Sequence, residues 1–162
     1  MGRYYTELPI AASIAHAALA HAYSTEDWNR YYNFEATYLP ANIAAQEPLF
    51  VWLANQGFEF HVGVLKMDPH TCYKWHKDTD RLVGINMLLT DNGSMCLFAD
   101  STEPVVFEFD ELIYEPNKYY VFNTQVPHTV FNFSGERYLL SVEFLGKDRG
   151  LTYADLCNVF KD

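Results

Sequence analysis

The chain has 162 residues, 49% hydrophobic and 17% aromatic, enough for one domain with a sizeable core and too short for two ordinary ones. Eleven Lys and Arg stand against 21 Asp and Glu, and the net charge of −10 disfavours phosphate backbones and anionic membranes. A small-molecule or peptide substrate is the expected partner; composition carries no information on oligomeric state. Cys72, Cys96 and Cys157 are odd in number and lack a C-x-x-C spacing, which argues against a disulfide framework and a zinc ribbon. With no run of eighteen apolar residues, a cytoplasmic location is expected.

In chain order, PIAASIAHAALAHAY from Pro9 to Tyr23 is alanine-rich with proline at its start, which predicts an N-terminal helix ended by Ser24-Thr25. Residues 24–47 hold Trp28, Tyr31, Tyr32, Phe34 and Tyr38 without a clean period, and read as loops and short strands covering a core. From Leu49 the pattern turns to β. LFVWL, FEFHVGVLK, RLVGINMLL, SMCLF, PVVFEF, KYYVFN, HTVFNF and RYLLSVEFL are short apolar runs bounded by turn residues, about eight strands in all.

Asn92-Gly93 is the strongest hairpin signal, because both central residues of a type I′ turn need positive φ, and Ser134-Gly135 reads as a second hairpin. Hairpins at this density without helical periods between them predict a mostly β barrel or double-sheet jelly roll. Thr152 and Asp155 occupy cap-like positions before a short C-terminal helix ending near Phe160. The expected organisation is a single domain over 1–162. It divides into a helix and aromatic covering region (1–47), a β core (48–146) and a C-terminal helix (147–162).

His76, Asp78 and His128 carry the chemistry. An H-x-D pair arises often by chance, but on a strand i and i+2 project to one side and can grip one ion. A second imidazole from His128 completes the set that holds ferrous iron on one face and leaves the opposite face open. If Ser134-Gly135 is a two-residue loop, Asn132 pairs with Arg137 and His128 with Ser141, so Arg137 shares the face of His128. Its guanidinium could then meet the far end of a metal-chelating dicarboxylate bidentately; the alternative is an edge arginine pairing with Glu136 or Glu143. His16, His21, His61 and His70 show no partner in the sequence and are not expected to bind metal.

The stretch from Tyr73 to Phe144, with HKDTDRLVGINMLL and PHTVFNFSGERYLLSVEF, resembles the 2-oxoglutarate and Fe(II)-dependent oxygenase superfamily, in its aspartyl/asparaginyl hydroxylase-like and prolyl hydroxylase-like branches. The resemblance implies a double-stranded β-helix of jelly-roll, cupin-like form. It also implies Fe(II) and 2-oxoglutarate as cofactors, His76, Asp78 and His128 as metal ligands, and Arg137 on the 5-carboxylate. The activity implied is that of an oxidoreductase, a dioxygenase that hydroxylates its substrate. Many members carry serine or threonine two positions after the arginine; here that position is Leu139 and the serine is Ser141. Asn86, Ser141 and Tyr73 are further co-substrate candidates, and Arg81 is a candidate for substrate contact or for neutralising Asp78. The rival readings are a cupin-like metalloprotein without 2-oxoglutarate and a non-enzymatic β-sandwich binding or structural module.

Overall fold

The computed structural model describes residues 2–90, 93–106 and 108–161. Eleven strands form two antiparallel sheets within them: β1 (Tyr5–Ala11), β2 (Asn29–Tyr31), β3 (Phe34–Tyr38), β4 (Phe60–Met67), β5 (Thr71–His76), β6 (Val83–Leu88), β7 (Met95–Phe98), β8 (Asp110–Glu111), β9 (Lys118–Asn123), β10 (His128–Asn132) and β11 (Arg137–Phe144). The larger sheet has the order β1-β9-β6-β11-β4-β3-β2 and the smaller one β5-β10-β7-β8. From β4 onward the chain alternates between sheets, with β7 and β8 as the one consecutive pair kept together, and this winding makes the double-stranded β-helix.

Helices α1 (Ala15–Ser24), α2 (Ala41–Ala44), α3 (Pro48–Asn55) and α4 (Tyr153–Val159) complete the fold. Alternation along the strands decides which face goes where. Val83, Ile85 and Met87 of β6 and Tyr138, Leu140, Val142 and Phe144 of β11 pack with Ala18, Leu49, Leu53 and Leu156 of the helices in one core. Full burial of each such aliphatic side chain is worth about 1.5–3 kcal/mol. The opposite face of the large sheet looks toward the small one. There Tyr120 and Phe122 of β9 meet Cys96 and Phe98 of β7 in a second, aromatic cluster.

Several expectations are corrected. The helix begins at Ala15, and Pro9 belongs to β1, where it falls in a register irregularity between Glu7 and Ala11 on an edge strand. Edges and bulges are where a residue without an N–H is tolerated. LFVWL is helical: Pro48 sits at the start of α3, and Leu49, Phe50 and Leu53 are buried at helical spacing. A short apolar run has no period of its own to separate the two readings. PVVFEF contributes no strand among its described residues; only the following Asp110–Glu111 pairs, with Phe98 and Leu97 of β7. Phe107 and the Asn92 of the first hairpin signal lie outside the described residues.

The second hairpin is also corrected. β10 pairs with β5 and β7, whereas β11 pairs with β4 and β6, so Asn132 does not face Arg137 and His128 does not face Ser141. Ser134-Gly135 instead lies where the chain crosses between sheets. Buried Asn132 fixes that crossing by donating to the carbonyls of Met67, Asp68 and Gly135 at 3.1, 2.8 and 2.9 Å. At the C-terminus the expected capping holds, with Thr152 and Asp155 forming a reciprocal capping box on α4.

Candidate metal and co-substrate site

His76 ends β5 and His128 begins β10, and the two are direct cross-strand partners. A register shift between His128 and Val130 brings Tyr73, three residues before His76, onto the same face, with its ring 4.0 Å from the His76 imidazole. Asp78 lies two residues past the end of β5, so the strand alternation expected for H-x-D does not place it. The loop does: Asp78 N–H donates to Thr124 O at 3.0 Å, and Gln125 Nε2 donates to the carbonyls of Asp78 and Arg81. One ligand atom from each of the three residues lies within 4.8 Å of the others.

The imidazoles are oriented by their far nitrogens. His76 Nδ1 is 2.7 Å from Lys74 O and His128 Nδ1 is 3.0 Å from Val126 O. Each Nδ1 therefore carries the proton it donates to a carbonyl, which leaves the Nε2 lone pair for a ligand. Both Nε2 atoms point at Asp78 Oδ1, at 3.4 and 3.5 Å. Arg81 Nε takes the other carboxylate oxygen at 2.5 Å, while its Nη1 donates to Ser141 Oγ at 3.0 Å and Ser141 donates to Asn86 Oδ1 at 2.8 Å. The chain Asn86–Ser141–Arg81–Asp78 thus leaves one carboxylate oxygen facing the histidines.

Burial alone would raise the Asp78 pKa, but in the metal-free protein the Arg81 charge and hydrogen bonds from His128 and His76, which their Nε2 atoms donate when the rings are protonated and no metal takes the lone pairs, overcome it and hold the carboxyl well below the usual range. A depressed folded-state pKa contributes stability that is present above the unfolded value near 4 and is lost as pH falls below it. Denaturant titrations of metal-free protein should therefore show stability falling as pH drops below about 4, and Asp78→Asn should flatten that fall. An unchanged pH slope in the variant would mean that the carboxylate is not held this way.

Arg137 projects from β11 on the same inner face as Leu139 and Ser141, because alternate residues share a face. It is 5% exposed, and no carboxylate lies within 4.0 Å of it among the described residues. Its Nε donates to Ser94 Oγ at 3.0 Å, and its guanidinium carbon lies 6.0 Å from the Tyr114 ring centroid. The Tyr114 hydroxyl is shut off from solvent without a well-formed hydrogen bond, but it lies close enough to the Arg137 guanidinium and the Cys96 thiol to interact with both; burial raises its pKa and the Arg137 charge and contact oppose that rise. Beside them the Cys96 thiol is pushed up to about 12 by burial, despite the Arg137 charge. Cys96 is two residues from Phe98, the β7 partner of His128, so this cluster lies on the same face of the small sheet as His128. Along β11, Arg137 stands four residues from Ser141, about 13 Å of strand.

A buried guanidinium without a carboxylate partner among the described residues and a buried tyrosine hydroxyl thus sit together on the inner face, four residues along β11 from the Ser141 that joins the Asp78 network. Ser94 and Tyr114 carry no signal in the sequence, since neither belongs to a motif and both lie outside the β10–β11 region that contains Arg137.

No protein-family model and no curated protein matches the chain in sequence. Solved structures match it in fold. A Pseudomonas putida prolyl-4-hydroxylase superimposes with a TM-score of 0.63 at 16% identity, over 88% of this chain and 92% of that one. This chain has the fold of the 2-oxoglutarate/Fe(II) oxygenases. A Trichoplax adhaerens prolyl hydroxylase, solved with a hypoxia-inducible-factor peptide fragment, matches with a TM-score of 0.63 at 11% identity, over 90% and 84% of the two chains. SnoN, a non-heme α-ketoglutarate-dependent epimerase of nogalamycin biosynthesis, matches with a TM-score of 0.63 at 14% identity, over 85% and 74%. Within the described residues no helix is long and apolar enough to cross a membrane.

Proposed function

We propose that this protein is an Fe(II)- and 2-oxoglutarate-dependent oxygenase that hydroxylates an amino-acid, peptide or small-molecule substrate. The observation that carries the reading is Arg137, a buried cation without a carboxylate partner among the described residues, on the inner face of the sheet whose Ser141 joins the network around the His-Asp-His group. Leaving such a charge unpaired is costly, and a dicarboxylate chelating a metal at its other end would relieve that cost.

The donor set fits iron: two neutral imidazoles and one carboxylate occupy one face and leave the opposite face open. With iron and 2-oxoglutarate bound, the site would couple oxidative decarboxylation of the co-substrate by dioxygen, giving succinate and carbon dioxide, to insertion of the second oxygen atom into a substrate C–H bond. The chain's own residues bind and orient. His76, Asp78 and His128 hold the metal, and the hydrogen bonds to Lys74 O and Val126 O fix both imidazoles. Asn86, Ser141 and Arg81 position Asp78, and Arg137, Ser94 and Tyr114 receive the distal carboxylate. Tyr73 packs edge-on against His76 and helps fix its ring. A cupin-like metalloprotein that does not use 2-oxoglutarate would have no use for Arg137 in this place, and a structural module would need neither group.

The test is succinate formation from 2-oxoglutarate with Fe(II) and dioxygen. Substrate-independent turnover supports the reading, and its absence in iron-loaded protein counts against it. Tyr114→Phe sharpens the assignment. In free protein the buried hydroxyl makes no well-formed hydrogen bond, only its approach to Arg137 and Cys96, so its removal should change stability by no more than about 1 kcal/mol. Loss of a hydrogen bond to a charged carboxylate, worth about 1.5 kcal/mol or more, should weaken 2-oxoglutarate binding by about tenfold. Equal affinity by calorimetry would place the carboxylate elsewhere.

A further inference from the structure

On the inner face of the large sheet, past Ser141 and away from Arg137, stands a group that the proposed reaction does not use. Glu143 of β11 is directly opposite His61 of β4 on one side and Gly84 of β6 on the other. His61 Nε2 lies 2.9 Å from Glu143 Oε2, and both side chains are about a third exposed, at 31% and 32%. Glu143 Oε1 has no partner among the described residues. The Tyr38 ring of β3 meets the His61 ring edge-on with centroids 4.9 Å apart, and Tyr38 itself is 61% exposed. The Arg81 guanidinium, which braces Asp78, lies over Gly84, with Nη1 3.2 Å from where a Cβ there would stand. Glu143 is therefore one strand removed from the guanidinium that touches the metal-ligand carboxylate.

Glycine floors this part of the face. Gly84 is opposite Glu143, and Gly63 is opposite both Ser141 and Tyr38. No side chain from either position covers the carboxylate, which stays about a third exposed; the Arg81 guanidinium takes the space over Gly84, and the Tyr38 ring lies against the His61 that holds Glu143. A carboxylate with a free oxygen, an imidazole holding its other oxygen, and an aromatic face together match a cation bearing N–H donors.

Resting on the oxygenase reading, we infer that Glu143, held by His61 and flanked by Tyr38, is the specificity-determining group for a substrate bearing a cationic ammonium or guanidinium group, bound beside the metal on the side opposite the 2-oxoglutarate pocket. The overall charge of −10 steers the same class of molecule to the protein.

The experiment uses full-length protein loaded with Ni(II) and 2-oxoglutarate, which permits binding without turnover. The probes are butylammonium and butylguanidinium, their neutral counterparts butanol and N-butylacetamide, and butyrate, with binding followed by ligand-observed NMR titration. The cations should bind at least about tenfold more tightly than the neutral probes, as a charge-assisted hydrogen bond requires. Glu143→Gln should erase that preference, and Tyr38→Leu, at an exposed position that does not threaten folding, should reduce it about two- to fivefold. No preference in the wild type, or a preference that survives Glu143→Gln and so belongs to the general surface charge, overturns the inference. Calorimetry of 2-oxoglutarate on the same preparations separates the two levels. Normal co-substrate binding without cation preference removes this inference alone, whereas absent co-substrate binding removes the reading on which it rests.

Discussion

His128→Gln is expected to remove stoichiometric Fe(II) or Ni(II) binding while the chain remains folded. Outer partners of metal-bound histidines typically cost 10–100-fold in affinity when removed, so loss of a ligand should cost more than about a hundredfold, and succinate formation should fall with it. Glutamine is the informative replacement because His128 is wedged between the rings of Phe98 and Phe122, at 6.1 and 5.0 Å. Alanine would leave a cavity there and confound metal loss with destabilisation. Because both imidazoles must be neutral to ligate, acidification should also release the metal from the wild type. Full metal content in the variant, measured by elemental analysis after dialysis, would remove His128 from the site.

Arg137→Ala is the second large effect, and its signature is a separation of two affinities. The guanidinium is not a ligand, so metal binding should be unchanged. The distal carboxylate of 2-oxoglutarate would be left unpaired in a confined site, at a cost of about 2–5 kcal/mol, or roughly 30-fold to several thousandfold in affinity. The free protein should not show the loss expected from breaking a buried ion pair, since no carboxylate pairs with Arg137 there. Arg137→Lys keeps the charge but loses the planar fork, and should fall between wild type and alanine. A variant that binds metal and 2-oxoglutarate as the wild type does would contradict the assignment of the pocket.

The residues that the structure gathers were largely legible in the sequence, but their geometry was not. His76, Asp78 and His128 stood out by type and spacing, and the imidazoles are indeed cross-strand partners. The route to Arg137 was wrong. A Ser-Gly turn signal implied a hairpin, while the chain crosses between sheets at that point, and only the buried side chain of Asn132 reveals why. Local turn chemistry is blind to which sheet the next strand joins. The same blindness hid Ser94 and Tyr114, which meet Arg137 from distant segments, and hid Glu143 as a partner for His61, since β11 and β4 are 82 residues apart at that contact. LFVWL failed for a different reason. All five of its residues are apolar, so the sequence shows no polar face to mark a period even though only Leu49, Phe50 and Leu53 are buried; Pro48 and the positive φ of Gly57 mark the helix boundaries.

Calorimetric titration of 2-oxoglutarate into metal-free and Ni(II)-loaded protein addresses the central claim most directly. The account predicts one site per chain, at least about tenfold tighter when metal is present, because chelation and the Arg137 contact act on the two ends of one molecule. Absence of binding to the metal-loaded protein, or equal affinity with and without metal, would contradict it.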